Sequence, residues 1–121
     1  MDTFYFRKLD VYQRSRDLVV YGYKLLDKFP KYENYALCDQ LRRSLISVPS
    51  NIAEGMGRVS GHEKRHFLSI AYGSLMEVLC QFEIASLREY ITPNEFQVAE
   101  DEIRTIAKEL SGLNKSIMRT G

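Results

Sequence analysis

The chain has 121 residues, 45% hydrophobic and 27% charged, with a formal net charge of +1 and two cysteines. That length makes one domain, 1–121, large enough to bury a core without disulfide or metal staples and too short for a multidomain enzyme. The balance of apolar and charged residues excludes a disordered chain.

The opening MDTFYFRKLD has no basic segment running into an apolar one, so no secretory signal is expected. Apolar periodicity then predicts a first helix from about Asp10 to Phe29, with Val11, Leu18, Leu25 and Phe29 on one face and Pro30 closing it. A second stripe on it, Tyr12, Val19, Tyr23 and Leu26, calls for a further neighbour. Helix two is expected from about Asn34 to Gly57, carrying Cys38, Leu41, Leu45, Val48, Ile52 and Met56.

Pro49 falls inside that helix. It leaves the Leu45 carbonyl without its helical donor and predicts a kink. Beside it runs a stripe of small side chains, Ser44, Ser47, Asn51 and Gly55, suited to close approach by another helix, with Gly73 and Ser74 as counterparts. The Ser and Asn groups are expected to serve freed backbone groups or cross-helix partners.

Ser60 and Glu63 read as a capping box opening a third helix that reaches Tyr90. Its residues Phe67, Leu68, Ile70, Ala71, Tyr72, Leu75, Met76, Val78, Leu79 and Phe82 leave it apolar almost all round, so it must be covered on several sides. The nearly uncharged part, Phe67 to Phe82, is too short to span a membrane and contains Glu77. Thr92-Pro93 starts helix four, where Phe96, Ala99, Ile103, Ile106, Leu110, Leu113 and Ile117 alternate spacings of three and four. With no strand alternation, the prediction is all-α: an up-down four-helix bundle with a kinked second helix.

LDVYQRSRDL, QLRRSLISVPSNIAEGMGR and FLSIAYGSLMEV resemble the bacterial four-helix-bundle proteins encoded in intervening sequences of large-subunit ribosomal RNA genes, a family also described as ribosomal-protein-like. The likeness runs to about Ile91, and SVPSNIAEG is its most specific part; helix four matches in pattern only. The resemblance implies assembly into a ring, a homopentamer, as in the related accessory proteins of diversity-generating retroelements, which are basic and engage nucleic acid. This chain is almost neutral.

Other chemistry is weakly represented. His62-Glu63-Lys64-Arg65-His66 fits H-E-x-x-H, a zinc pattern, but Lys and Arg lie between the imidazoles, there is no third His, and Glu63 already serves the cap. The gaps from Arg58 to His62 and His66 do not suit the Arg–His pairs of helical-bundle ribonucleases. Neither an enzyme nor a metal site, cofactor or small-molecule substrate is expected. Cys38 and Cys80 read as reduced core thiols of a cytoplasmic protein.

Two partners are expected. One is a second copy of the chain. The other is RNA or DNA, met by a basic surface on helices one to three: residues 1–68 hold twelve Lys/Arg against eight Asp/Glu, residues 69–121 five against eight. Arg14, Arg16, Arg42, Arg43, Arg58, Lys64 and Arg65 are the candidate phosphate contacts, with Tyr12 and Tyr35 offering stacking faces.

Overall fold

Each predicted stripe lands on a helix and turns inward. The computed structural model describes residues 3–120: α1 spans Asp10–Leu26, α2 Leu37–Met56, α3 Gly61–Leu87 and α4 Pro93–Thr120, with 3-10 turns at Tyr5–Lys8 and Lys31–Glu33. The described residues contain no strand. Around the bundle α1 packs on α2 and α4, and α3 packs on the same two. This is the predicted all-α four-helix bundle.

Its core is built from stripes of three- and four-residue spacing. Val11, Ser15, Leu18, Gly22 and Leu25 form the buried line of α1. Ser15 and Gly22 escape a search for large apolar residues, yet both lie in the buried line, and Gly22 has to be small. A Cβ on Gly22 would lie 2.6 Å from Leu45 Cδ1, and Leu45 is fully buried. In α4 the whole predicted series holds: Ala99, Ile103, Ile106 and Leu110 are buried, and Phe96, Leu113 and Ile117 lie against the core.

Helix ends fall inside their predicted limits, for local reasons. After Leu26 the chain tightens into three-residue turns, Lys28 N–H to the Leu25 carbonyl and Phe29 N–H to the Leu26 carbonyl. Before α2, Arg42 reaches back to the Asn34 carbonyl (3.3 Å) and Oδ1 (2.7 Å), holding that segment as a turn. Pro49 lies within α2, which continues through it as one helix. The Ser60–Glu63 cap forms as expected, with the Glu63 amide donating to Ser60 Oγ at 3.1 Å.

Thr92 and Glu95 make a second, reciprocal box: the Glu95 amide donates to Thr92 Oγ1 and the Thr92 amide to Glu95 Oε1. Lys28 at the end of α1 also bonds Glu95 at 2.5 Å. The Lys28 bond first, and the Thr92 amide second, hold the Glu95 carboxyl below its ordinary value.

α3 closes in a two-bond terminus, Tyr90 N–H to the Ala85 carbonyl and Glu89 N–H to the Ser86 carbonyl. That geometry puts Glu89 at φ 63°, a left-handed position that glycine fills without a Cβ penalty. Glu89→Gly is therefore expected to stabilise the chain by about 1 kcal/mol. A urea midpoint that stays put or falls would show that the side chain itself holds the turn.

Candidate interaction surfaces

The small stripe of α2 faces α3. A Cβ on Gly55 would sit 3.0 Å from Phe67 Cβ and 3.2 Å from the Lys64 carbonyl, so the two backbones meet there. Asn51 Nδ2 donates to the Ser47 carbonyl (2.8 Å) and Oγ (2.9 Å). Ser47 Oγ, which accepts from Asn51, also lies 2.8 Å from Ser74 Oγ, and the two hydroxyls share a hydrogen bond in which either can donate. Ser44 Oγ lies 2.6 Å from the Gln40 carbonyl and 2.7 Å from Gln81 Oε1. With one proton to give, it donates to Gln40 and accepts from the Gln81 amide turned end for end. Ser44 and Ser47 thus reach partners on α3, while Ser44 and Asn51 also bond backbone carbonyls of α2 itself.

Gln81 escapes the sequence reading, although it follows Ser74 by seven and so shares its face. Gly73 differs from its neighbour Ser74. It faces open space, with nothing within 4 Å of the position a Cβ would take, and seats no helix within the chain.

Most of the seven candidate cations already have partners within the chain. Arg14 is spent between helices, on Glu109 at 3.2 Å and Glu102 at 3.9 Å. Arg16 lies 5.9 Å from the Tyr12 ring centre. Arg42 holds Asn34, and Arg43 pairs with Asp39 at 2.5 Å on its own helix. Arg58 lies 3.7 Å from both Glu54 and Glu63 and 4.7 Å over the Phe67 ring. Lys64 donates to the Met56 and Arg58 carbonyls and so caps α2. Arg65 differs: its Nε is buried and has no hydrogen-bond partner. Tyr35 is fully in solvent, whereas Tyr12 packs against the core.

His62 and His66 lie at the surface end of α3, in its first turns. No group of three or more His, Cys, Asp or Glu among the described residues could hold a metal ion. Cys38 is buried, and burial pushes its thiol up. Cys80 departs from the expectation of two core thiols: it is exposed, because it sits on the far side of α3.

That far side is the least expected feature. α3 carries two lines of alternating three and four spacing. Leu68, Ala71, Leu75, Val78, Phe82 and Ala85 are the inner one, all buried. Ile70, Gly73, Glu77, Cys80, Ile84 and Leu87 are the outer one, all exposed. The outer line is the inner one shifted by two residues, and at 3.6 residues per turn that is about 200° around the helix. The two faces are opposed. Ile70 is 39%, Ile84 45% and Leu87 79% exposed, so apolar side chains at both ends of the outer line face solvent, with Glu77 between them. By length and composition α3 is also apolar enough to cross a membrane, being longer than the uncharged stretch suggested, but its inner line is spent on the bundle core.

By contrast, the expected second stripe of α1 is largely internal: Leu26 is buried, and Tyr12 and Val19 lie against the core. Only Tyr23 of the four is exposed.

The 23S rRNA-intervening sequence protein family model matches residues 7–112. The chain belongs to that family. The match passes Ile91 into α4, beyond the part that carries the sequence likeness. Among solved structures, a Bacteroides thetaiotaomicron protein of the S23 ribosomal protein family has the same fold, with a TM-score of 0.80 at 24% identity over 87% of this chain and 98% of that one. No curated protein matches. As an intervening-sequence family member the chain is a non-catalytic helical bundle. Within it SVPSNIAEG is the α2 half of the α2–α3 contact.

Proposed function

We propose that this intervening-sequence protein works as the subunit of a homo-oligomer, a non-enzymatic assembly module in the cytoplasm. The outer line of α3 carries the reading. A helix in a monomeric bundle needs one apolar stripe, and fully burying an aliphatic side chain contributes about 1.5–3 kcal/mol. Leu87 leaves most of that contribution unclaimed in the isolated chain, and Ile70 and Ile84 leave part of it. Gly73, with open space before it, lets a neighbouring element approach the α3 backbone closely.

A ring of five is the form that the family resemblance implies; in a ring each subunit offers one surface to one neighbour and a different surface to the other, so the outer line of α3 would be one side of that contact. The family's tie to a ribosomal RNA sequence favours a cytoplasmic setting.

Cys80 reports on this surface. It is exposed in the isolated chain and lies mid-way along the outer line, while Cys38 is buried. Maleimide labelling at concentrations where the chain is assembled is expected to be slow at both thiols. On dilution Cys80 alone becomes reactive. A Cys80 that labels at the free-thiol rate within the assembled species would place the interface elsewhere.

A further inference from the structure

We propose that the cleft between the first half of α3 and the second half of α4 binds single-stranded nucleic acid. Two cavities of about 490 and 380 Å³ adjoin there and share Tyr72 and Ser111 as lining residues. No lining residue of either carries a carboxylate. Four are cationic, Arg65 in the first cavity and Arg104, Lys108 and Lys115 in the second. Residues 69–121 are acidic in sum, with five Lys/Arg against eight Asp/Glu, yet three of those five cations collect along this one cleft. Folding has sorted the charge that the sequence mixes.

These cations are available to a ligand. Lys108 and Lys115 form no ion pair among the described residues, and Arg104 pairs only along its own helix, with Glu100 at 3.1 Å. Arg65 holds a buried Nε–H with nothing to receive it. An unmet buried donor is costly, and an anion entering the cleft would bring acceptor oxygens to that end.

The form of the site selects among anions. From Arg104 to Lys115 the helix rises about 16 Å, so the charges are strung out rather than focused on one point. A single phosphate would use one of them; a polyanion uses all. Tyr72 stands where the cavities join and is 40% exposed, giving a flat face between the cationic stretches. Charge along a groove with an aromatic platform in it is the arrangement that takes an unpaired strand, whose bases stack while its phosphates meet the cations. Metal is disfavoured by the same charges and by the missing third ligand beside His62 and His66. The cleft contains no residue of the outer line of α3, so this inference and the assembly reading stand or fall separately.

The test is fluorescence anisotropy of a labelled uridine oligomer, with the 121-residue chain in whatever state it takes in solution, as salt is raised. The parent is expected to bind, with affinity falling as salt releases counterions at about 0.7 per phosphate contacted. Lys108→Glu with Lys115→Glu should weaken binding at least tenfold and flatten the salt slope by about 1.4. The milder Lys108→Gln with Lys115→Gln should do the same in part, and it covers the case in which the reversal disturbs folding. Tyr72→Ala should cost about tenfold with the salt slope unchanged. Arg42→Glu with Arg43→Glu, on α2, should bind like the parent. Absence of binding at low salt, loss in the Arg42/Arg43 variant with retention in the Lys108/Lys115 variants, or displacement of the oligomer by polyglutamate as readily as by unlabelled RNA would each overturn the proposal.

Discussion

Gly55→Leu is expected to destabilise the bundle by about 3 kcal/mol, whereas Pro49→Ala changes stability by no more than about 1 kcal/mol. Even a lone Cβ at Gly55 would press on Phe67 Cβ at 3.0 Å and on the Lys64 carbonyl at 3.2 Å, and the second of these is backbone of the facing helix. A leucine adds three more carbons at that point. The only relief is to move α3 outward along its contact with α2, which pulls apart the Ser47–Ser74 and Ser44–Gln81 pairs farther along the same interface. Pro49 is different, since α2 runs through it, Asn51 beside it bonds back to Ser47, and Ser47 in turn meets Ser74 across the interface. Alanine there restores a donor and improves helix propensity. Thermal melts of the two variants beside the parent, at equal concentration, check this. A tolerated Gly55→Leu with a collapsed Pro49→Ala would mean that the proline sets the helix path and the small stripe is incidental.

The second large effect belongs to the outer face of α3. Ile70→Glu with Ile84→Glu is expected to weaken assembly by about 3 kcal/mol or more per interface, over a hundredfold in the association constant. Each change removes apolar surface from the contact and adds a charge that would have to be desolvated there. Both side chains point away from the core, so helicity by circular dichroism is expected to stay at the parent level. Sedimentation velocity should then show a folded monomer. A variant that sediments like the parent would show that this line is not the contact.

The fold is legible in the sequence where large residues repeat. Helix four can be read residue by residue because its apolar line is single and its other faces are polar. Helix one hides part of its core line, since Ser15 and Gly22 look like breaks in a stripe, yet Ser15 is fully buried and Gly22 is where Leu45 of α2 comes close. Helix three shows that it must be covered on several sides. It does not show which residues face out, because an inner and an outer line shifted by two residues have the same spacing. Cys80 reads as a core thiol for that reason. Charge is the least legible property. Counting Lys and Arg along the chain points to the first half, where Arg14, Arg42, Arg43 and Arg58 turn out to hold carboxylates or carbonyls of the fold itself. The acid-free cleft draws on the half that looks acidic, and only the pairing of α3 with α4 assembles it.

The central claim is that the outer face of α3 is built for another subunit, and the molar mass in solution tests it most directly. Light scattering on the parent at micromolar concentration is predicted to give one species at several times 14.1 kDa. A clean monomer of 14.1 kDa under the same conditions would contradict it.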